Sequence, residues 1–348
     1  VTAAGRIALR RRSLRCGRCG LTAYPTDDRL GLDGYLSAGA TRLACLAAAS
    51  WSFDVAADRL AELAGVRLDD ETIRRHVHRA AAGVAPRREA TPPAAFAGAA
   101  GDVELLIDGV MAPTRGGWRE LKLAVYLVRP RGAAADAAAW AGRTLPRPAA
   151  SVAYASLADC AAFAARWRPW AAGLGLDPDG PLTVLADGAA WIWAAVEEHL
   201  PCAAGVLDIF HASGHLAAAA VALHGEGTAE SAAWLDDGRA ALLAGGRPGL
   251  LGHVGATPAA GRTAAGRAAL DDLLRYFAAH VGRLGYAARL AEGRSIGSGA
   301  VEGLARRLGR RLKVPGRGWC AGNVDGMAAL VATVDTPEWD TLWARPAA

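Results

Sequence analysis

The sequence contains no run of about 18 charge-free apolar residues, the length a membrane-spanning helix requires. It also lacks the basic, apolar and small-residue succession of a secretory leader, so a soluble cytoplasmic protein is expected. Cysteine is scarce, with 6 in 348 residues, and only Cys16 and Cys19 stand close together. That scarcity argues against a disulfide framework and for a reducing compartment. A single pair also falls short of the four ligands of tetrahedral zinc, since neither a second pair nor a nearby histidine follows. Three readings of Cys16-Gly17-Arg18-Cys19-Gly20 stay open: half of a zinc ribbon whose other ligands lie upstream of Val1, a redox pair, or two incidental thiols. Zinc is expected only if such upstream ligands exist. Lysine is confined to Lys122 and Lys313, so arginine carries the formal net charge of +5. This mild basic excess favours a polyanionic partner.

Hydrophobic residues make up 52% and charged residues 21%, a globular balance that sets aside a disordered chain. The length suffices for two or three domains and a large core. Arginines gather at Arg10, Arg11, Arg12, Arg15 and Arg18, and again at Arg306, Arg307, Arg310 and Arg311. Either cluster alone reads equally as a solvated face; two of them beside candidate DNA elements favour phosphate contact.

Residues 1–35 form a basic segment around the cysteine pair, with a strand leading into it. Residues 36–85 follow a helical pattern. Ser52 caps a helix whose apolar face is drawn through Val55, Leu60 and Leu63. Gly65 breaks it, and Asp69 or Asp70 caps the next helix, which carries Arg74, Arg75 and Arg79. Helix, glycine turn and basic helix is the helix-turn-helix order, with a plain helical hairpin as the bland alternative. Residues 86–101, rich in Ala, Pro and Gly, read as a linker.

From residue 102 the pattern becomes mixed. A strand runs from Val103 to Asp108, a loop spans 109 to 117, and a second strand covers Trp118–Val128. A weaker strand follows at Val152–Ala155, a helix at Ala158–Arg168, and a buried strand at Leu182–Ala186. A helix from Trp191 to His199 and a strand from Ala204 to Ile209 complete the first part of an α/β domain, 102–213: a mixed sheet with helices packed on it. Residues 214–292 are almost wholly helical, with glycine breaks at 225–227 and 245–253, and read as an insertion. The α/β pattern resumes over 293–348.

Val103 to Gly109 is an apolar run ending on an acid, and Leu182 to Gly188 repeats it. A carboxylate at the end of a buried strand needs a reason, because an unpaired buried charge is costly. Glu302, on the arginine-rich segment near the end, supplies a third. Acids at neighbouring strand ends, with one from an adjacent helix, can converge just outside the carboxyl edge of a sheet. Crowded carboxylates repel and need cations, and hard oxygen ligands suit magnesium or manganese. Two such ions, about 3.5–4 Å apart, serve in-line displacement at phosphorus, with Asp108 as the bridging ligand. Each acid alone has a bland reading: Asp-Gly is a common turn dipeptide, and a helix-surface Glu is usually solvated.

The ordered set Leu-Leu-Ile-Asp108-Gly, Leu-Ala-Asp187-Gly-Ala-x-Trp-Ile-Trp, Leu-Asp208-Ile-Phe-His211-Ala and Ile-Gly-Ser-Gly-Ala-Val-Glu302-Gly resembles bacterial insertion-sequence transposases of the ISKra type, distant relatives of the Mutator-like enzymes. The resemblance spans essentially the whole chain. It implies an RNase H-like mixed sheet with a helical insertion between the second and third acids, preceded by the helix-turn-helix domain and the Cys-x-x-Cys segment. It implies Asp108, Asp187 and Glu302 as the catalytic, metal-binding triad (DDE) with two Mg2+ or Mn2+ ions. Asp208 and His211 are similar to an accessory element of related transposases; a structural Asp–His hydrogen bond is the alternative. The chain departs from the family in lacking an upstream cysteine pair.

Arg306, Arg307, Arg310, Arg311 and Lys313 are placed to hold phosphates. Trp319 and Trp234 are candidates to stack on an unpaired base, with core packing as the default. Three activities follow: a transposase that cleaves terminal repeats and transfers strands into target DNA, an RNase H-like nuclease that only cuts, and a transposase-derived regulator that only binds. Three intact acids weigh against the regulator, and the helix-turn-helix and insertion weigh against the simple nuclease. The expected partner is double-stranded DNA, held by a homodimer, with no membrane involved.

Overall fold

Two long apolar strands found the central sheet of the computed structural model, which describes residues 1–90, 96–258, 263–314, 316 and 318–344. Strand β1, Asp102–Thr114, and β2, Gly117–Arg129, form an antiparallel hairpin. β3, Ala150–Ser156, lies antiparallel on the outer side of β2. β4, Leu182–Ala186, runs parallel to β1, and β5, Ala204–Leu207, runs parallel to β4. The strand order is therefore 3-2-1-4-5, with β2 alone reversed. Both faces are covered, which is why these strands read as nearly continuous apolar runs.

The first strand corrects the sequence reading. It does not end at Asp108; it continues to Thr114, and the loop expected over 109–117 shrinks to Arg115-Gly116. Gly109 stays in register opposite Lys122. A Cβ there would come within 2.6 Å of the Glu120 carboxylate, so this glycine permits close approach and makes no turn. The strand expected to reach Ile209 stops at Leu207, because Asp208 already caps the following helix. The helix expected over Ala158–Arg168 is two short ones, Cys160–Ala164 and Trp167–Gly173.

On the amino-terminal side stand α1, Ala38–Ser50, α2, Phe53–Ala64, and α3, Asp70–Ala82. Ser37 and Asp69 cap α1 and α3 by accepting the amide protons of Ala40 and Thr72. Gly65, at φ 65°, closes α2. Of the expected face through Val55, Leu60 and Leu63, only Leu60 is buried, beside Ala56, while Val55 and Leu63 are exposed, Leu63 by 74%. Ile73, Val77 and Ala81 give α3 its buried face. The basic strand expected ahead of the cysteines is only Leu14–Arg15, paired with Thr22–Ala23.

Residues expected to open a linker instead form a helix, Val84–Ala90, whose Arg88 is buried in an ion pair with Glu338 and lies 4.3 Å from the Tyr154 ring centroid. Residues 91–95 of that expected linker lie outside the described residues.

Beyond β4 come α4, Ala190–His199, then α5, Ile209–His224, α6, Ala229–Ala256, and α7, Ala264–Ala278. The glycine break expected at 245–253 is a kink within α6, where Gly246 takes φ 54° two residues before Pro248. The chain returns through Tyr286–Ala291 to α8, Gly299–Leu312, and α9, Ala321–Thr333. One apolar cluster runs unbroken from α1–α3 through α8 and α9 to Leu106, Ala112, Leu121 and Leu123 of the sheet. Gly326 of α9 packs so tightly that a Cβ there would lie 3.1 Å from the backbone at Ala81. The opposite sheet face packs on Phe163, Trp167, Trp170 and α4. Among the described residues no helix is long and apolar enough to cross a membrane.

Candidate metal centre

The register of β1 and β4 generates the site. Ala186, the last residue of β4, pairs with Ile107, so the next residue on each chain is an aspartate, Asp187 beside Asp108. Asp108 shares its face of β1 with Leu106, the face on which α8 packs. Its Oδ1 accepts the Gly109 amide proton at 2.7 Å. Asp187 turns out at the strand end, where its Oδ1 accepts the Ala189 amide proton at 2.9 Å. The indole of Trp193 donates to the Asp187 carbonyl at 2.7 Å and fixes the backbone there.

The third ligand comes from α5. Asp108, Asp187 and His211 each offer a ligand atom within 4.8 Å of one another, the one such group among the described residues. Glu302, expected as the third acid, is outside this compact trio. It sits in the first turn of α8, where its carboxylate lies 3.5 Å from the Ser298 hydroxyl and 3.5 Å from the Arg306 guanidinium. Its charge still reaches Asp108. Burial pushes the Asp108 carboxyl up to about 6; the Gly109 amide and His211 pull it down, while Asp187 and Glu302 push it further up. Two carboxylates plus an imidazole suit a divalent transition ion such as manganese or zinc, whereas magnesium favours an all-oxygen set.

Asp208 has another task. It is fully buried and caps α5 by accepting the Phe210 amide proton at 2.7 Å. Its other oxygen accepts the Ser298 amide proton at 3.2 Å and the Ser298 hydroxyl proton. The alternative of a structural Asp208–His211 hydrogen bond gives way to a tie between the start of α5, which holds His211, and the start of α8, which holds Glu302. Together with the hydrogen bond from the Ile209 amide to the Ile296 carbonyl at 3.1 Å, this tie joins elements far apart in sequence at one edge of the sheet.

Gly188 adds a cover. A Cβ on it would strike the Tyr276 ring at 2.3 Å, so glycine lets α7 close over Asp187. Tyr276 stacks on His215 with centroids 3.6 Å apart, and burial, helped by Asp187 and Asp208, pushes its phenol well up. Burial pulls the His215 imidazole down. Neither residue stood out in the sequence; the available signal was the one-turn spacing of His215 from His211.

The expected DNA-contact residues divide. Arg75, Arg79, Arg306, Arg310 and Lys313 are exposed, as is Arg74, which pairs with Glu71 at 2.6 Å. Arg307 reaches Asp335 at 3.5 Å. Arg311 is no surface residue: it is 2% exposed, donates to the Ala48 carbonyl, and lies 4.7 Å from the Phe53 ring and 4.9 Å from the Trp319 ring. One residue beyond Arg310 turns the side chain toward α1 and α2. Trp319 is likewise engaged, donating to the Leu312 carbonyl at 3.0 Å and packing near Phe53 and His78. Trp234 is buried, with its indole on Thr257 at 2.9 Å. Cys16 and Cys19 are exposed at a hairpin tip, with no third metal ligand among the described residues. Hydrogen bonds from the Cys19 and Arg18 amides pull the Cys16 thiol down. No protein-family model and no curated protein matches the sequence.

Proposed function

We propose that the chain is a metal-dependent DNA phosphodiesterase of the transposase class, with an RNase H-like catalytic domain, as its resemblance to ISKra-type enzymes implies. The observation that carries this reading is the meeting of Asp108, Asp187 and His211 within 4.8 Å, close enough to Glu302 for its charge to act on Asp108. The 3-2-1-4-5 strand order and the helices lying between Asp187 and Glu302 support it. So do Arg306 and Arg310 on the helix that bears Glu302.

Asp108, Asp187 and His211 would hold one divalent ion, and Asp108 with Glu302 a second. Such ions supply an activated water and charge neutralisation for in-line displacement at phosphorus. The chain's own contribution is positional. β1 and β4 set two carboxylates side by side, and Asp208 holds both helices against them. Tyr276 restricts water at Asp187, and Arg306, Arg310 and Lys313 form a cationic margin for the DNA backbone. α2 and α3 would carry the helix-turn-helix contact through Arg75 and Arg79, and two ends brought together would call for a homodimer.

The test is cleavage and joining of DNA carrying the element's terminal repeats, with Mg2+ or Mn2+. Asp108→Ala, Asp187→Ala and Glu302→Ala should each abolish both steps. Undiminished activity in these variants refutes the site, cutting without joining identifies a nuclease, and binding without cutting identifies a regulator.

A further inference from the structure

Arg88 is a buried charge that the metal centre does not use. It lies on the helix Val84–Ala90, is 5% exposed, and donates from Nε to Glu338 of the helix Glu338–Trp343. That is its one hydrogen bond among the described residues. Its Nη2 is sealed from water without a partner, while Nη1, equally unpartnered among the described residues, is not sealed. A guanidinium presents five N–H donors in a planar fork, and buried donors left unanswered are costly. The pairing with Glu338 answers only one of the five.

Arg88 borders a hollow of about 370 Å³, walled also by Glu89, Tyr154, Arg166 and Trp170. That volume is in the range of small-ligand sites, about 300–1,000 Å³. The hollow lies against the sheet face that carries Tyr154 and Trp170, opposite the face of Leu106 and Asp108.

Tyr154 of β3 supplies a second unanswered donor. It is 7% exposed, and its hydroxyl has no hydrogen-bond partner among the described residues yet is not sealed from water, so it opens on the hollow. Its ring packs on Arg88 at 4.3 Å and stacks on Trp170 with centroids 4.0 Å apart at 5°, which fixes where the hydroxyl points. Burial pushes the phenol up to about 12, so it keeps its proton and donates. Arg166 stands on the same wall, 5.0 Å from the Trp170 ring. Its partner is Glu89, which is half exposed at the rim, and exposed pairs of this kind are weakly held. Glu89 can turn into water and release Arg166 to a ligand.

We propose that this hollow binds a phosphate group, held by Arg88, the Tyr154 hydroxyl and Arg166. Donors from three separate stretches of chain suit a tetrahedral oxyanion, which offers an oxygen to each, where a planar carboxylate offers two. The site is distinct from the metal centre and does not depend on the DNA-processing reading. A small phosphate-bearing molecule and the backbone of a DNA strand share this chemistry.

The experiment titrates inorganic phosphate into the full chain in EDTA at constant ionic strength, with chloride as the reference, and reads calorimetry and melting temperature. Saturable binding that raises the melting temperature is expected. Tyr154→Phe removes a hydroxyl that no described protein group uses, so it should leave the fold intact and weaken phosphate binding about tenfold. Arg166→Gln should weaken it as well, and Glu89→Gln should strengthen it. Absence of saturable binding by the wild type overturns the proposal, as does unchanged binding in folded Tyr154→Phe and Arg166→Gln. A short DNA duplex then separates the two sources. Displacement of phosphate by the duplex, with weaker duplex binding in Tyr154→Phe, assigns the site to the DNA backbone; simultaneous binding of both assigns it to a small phosphate-bearing molecule.

Discussion

Replacing Asp108 by Asn should stabilise the protein in EDTA, in proportion to how far burial disfavours its charge. The carboxyl is pushed from 3.8 to about 6. At 1.36 kcal/mol per tenfold change in proton affinity, that gap corresponds to about 3 kcal/mol. The folded state keeps its proton up to about pH 6, whereas the unfolded chain releases it near 3.8. Stability from this group is therefore complete below the lower value and is lost as pH rises through the upper one. Wild type should lose about 3 kcal/mol relative to Asp108→Asn between roughly pH 4 and pH 6.5, and the difference should stay constant above that. In a melting experiment at pH 7 the Asn variant should unfold on the order of 5 °C higher. Mn2+ should reverse the order: at 1,000 times its dissociation constant it stabilises the wild type by about 4.1 kcal/mol, more than the deficit of about 3 kcal/mol, and stabilises Asp108→Asn and His211→Ala much less. A wild-type-minus-variant difference that does not change between pH 4 and 6.5 would refute the electrostatic account. Equal Mn2+ stabilisation of all three proteins would refute the ligand set.

Asp208→Ala should cost about 3 kcal/mol in urea denaturation, because it strands the Phe210 and Ser298 amides and the Ser298 hydroxyl. It should also depress cleavage at temperatures where the variant remains folded, and a wild-type urea midpoint would show that the tie between α5 and α8 is not structural. Arg310→Ala should leave stability within about 0.5 kcal/mol and reduce the salt dependence of DNA binding by about one phosphate contact, while Arg311→Ala should cost about 2–4 kcal/mol. The reverse pattern would refute the burial of Arg311 between Phe53 and Trp319.

The sheet was largely legible because both of its faces are buried. Leu182–Ala186 reads as a strand from composition alone, and its limits agree with the structure. The hairpin was less so, since Asp-Gly signals a turn locally while the register with β2 carries β1 six residues past Asp108. What overrode the local signal was tertiary: Glu120 occupies the space over Gly109. The arginine segment shows a similar limit. Arg306, Arg307, Arg310 and Arg311 look alike in sequence, and only the rings of Phe53 and Trp319 distinguish the buried one.

His211 shows what a linear motif leaves undetermined. Asp208-x-x-His211 invites a bond between its two named residues, as in a structural pair. In the fold a helix starts between them, and the amide at Phe210 claims the aspartate. Capping takes Asp208 inward toward Ser298, and the first turn of α5 carries His211 outward to Asp108 and Asp187. The two residues act together through the helix they start and not through contact. One fixes where α5 and α8 begin, and the other occupies the place beside the paired aspartates that this fixing creates. On that account removing Asp208 displaces His211 and Glu302 together, whereas removing His211 deletes a ligand and leaves Glu302 where it stands.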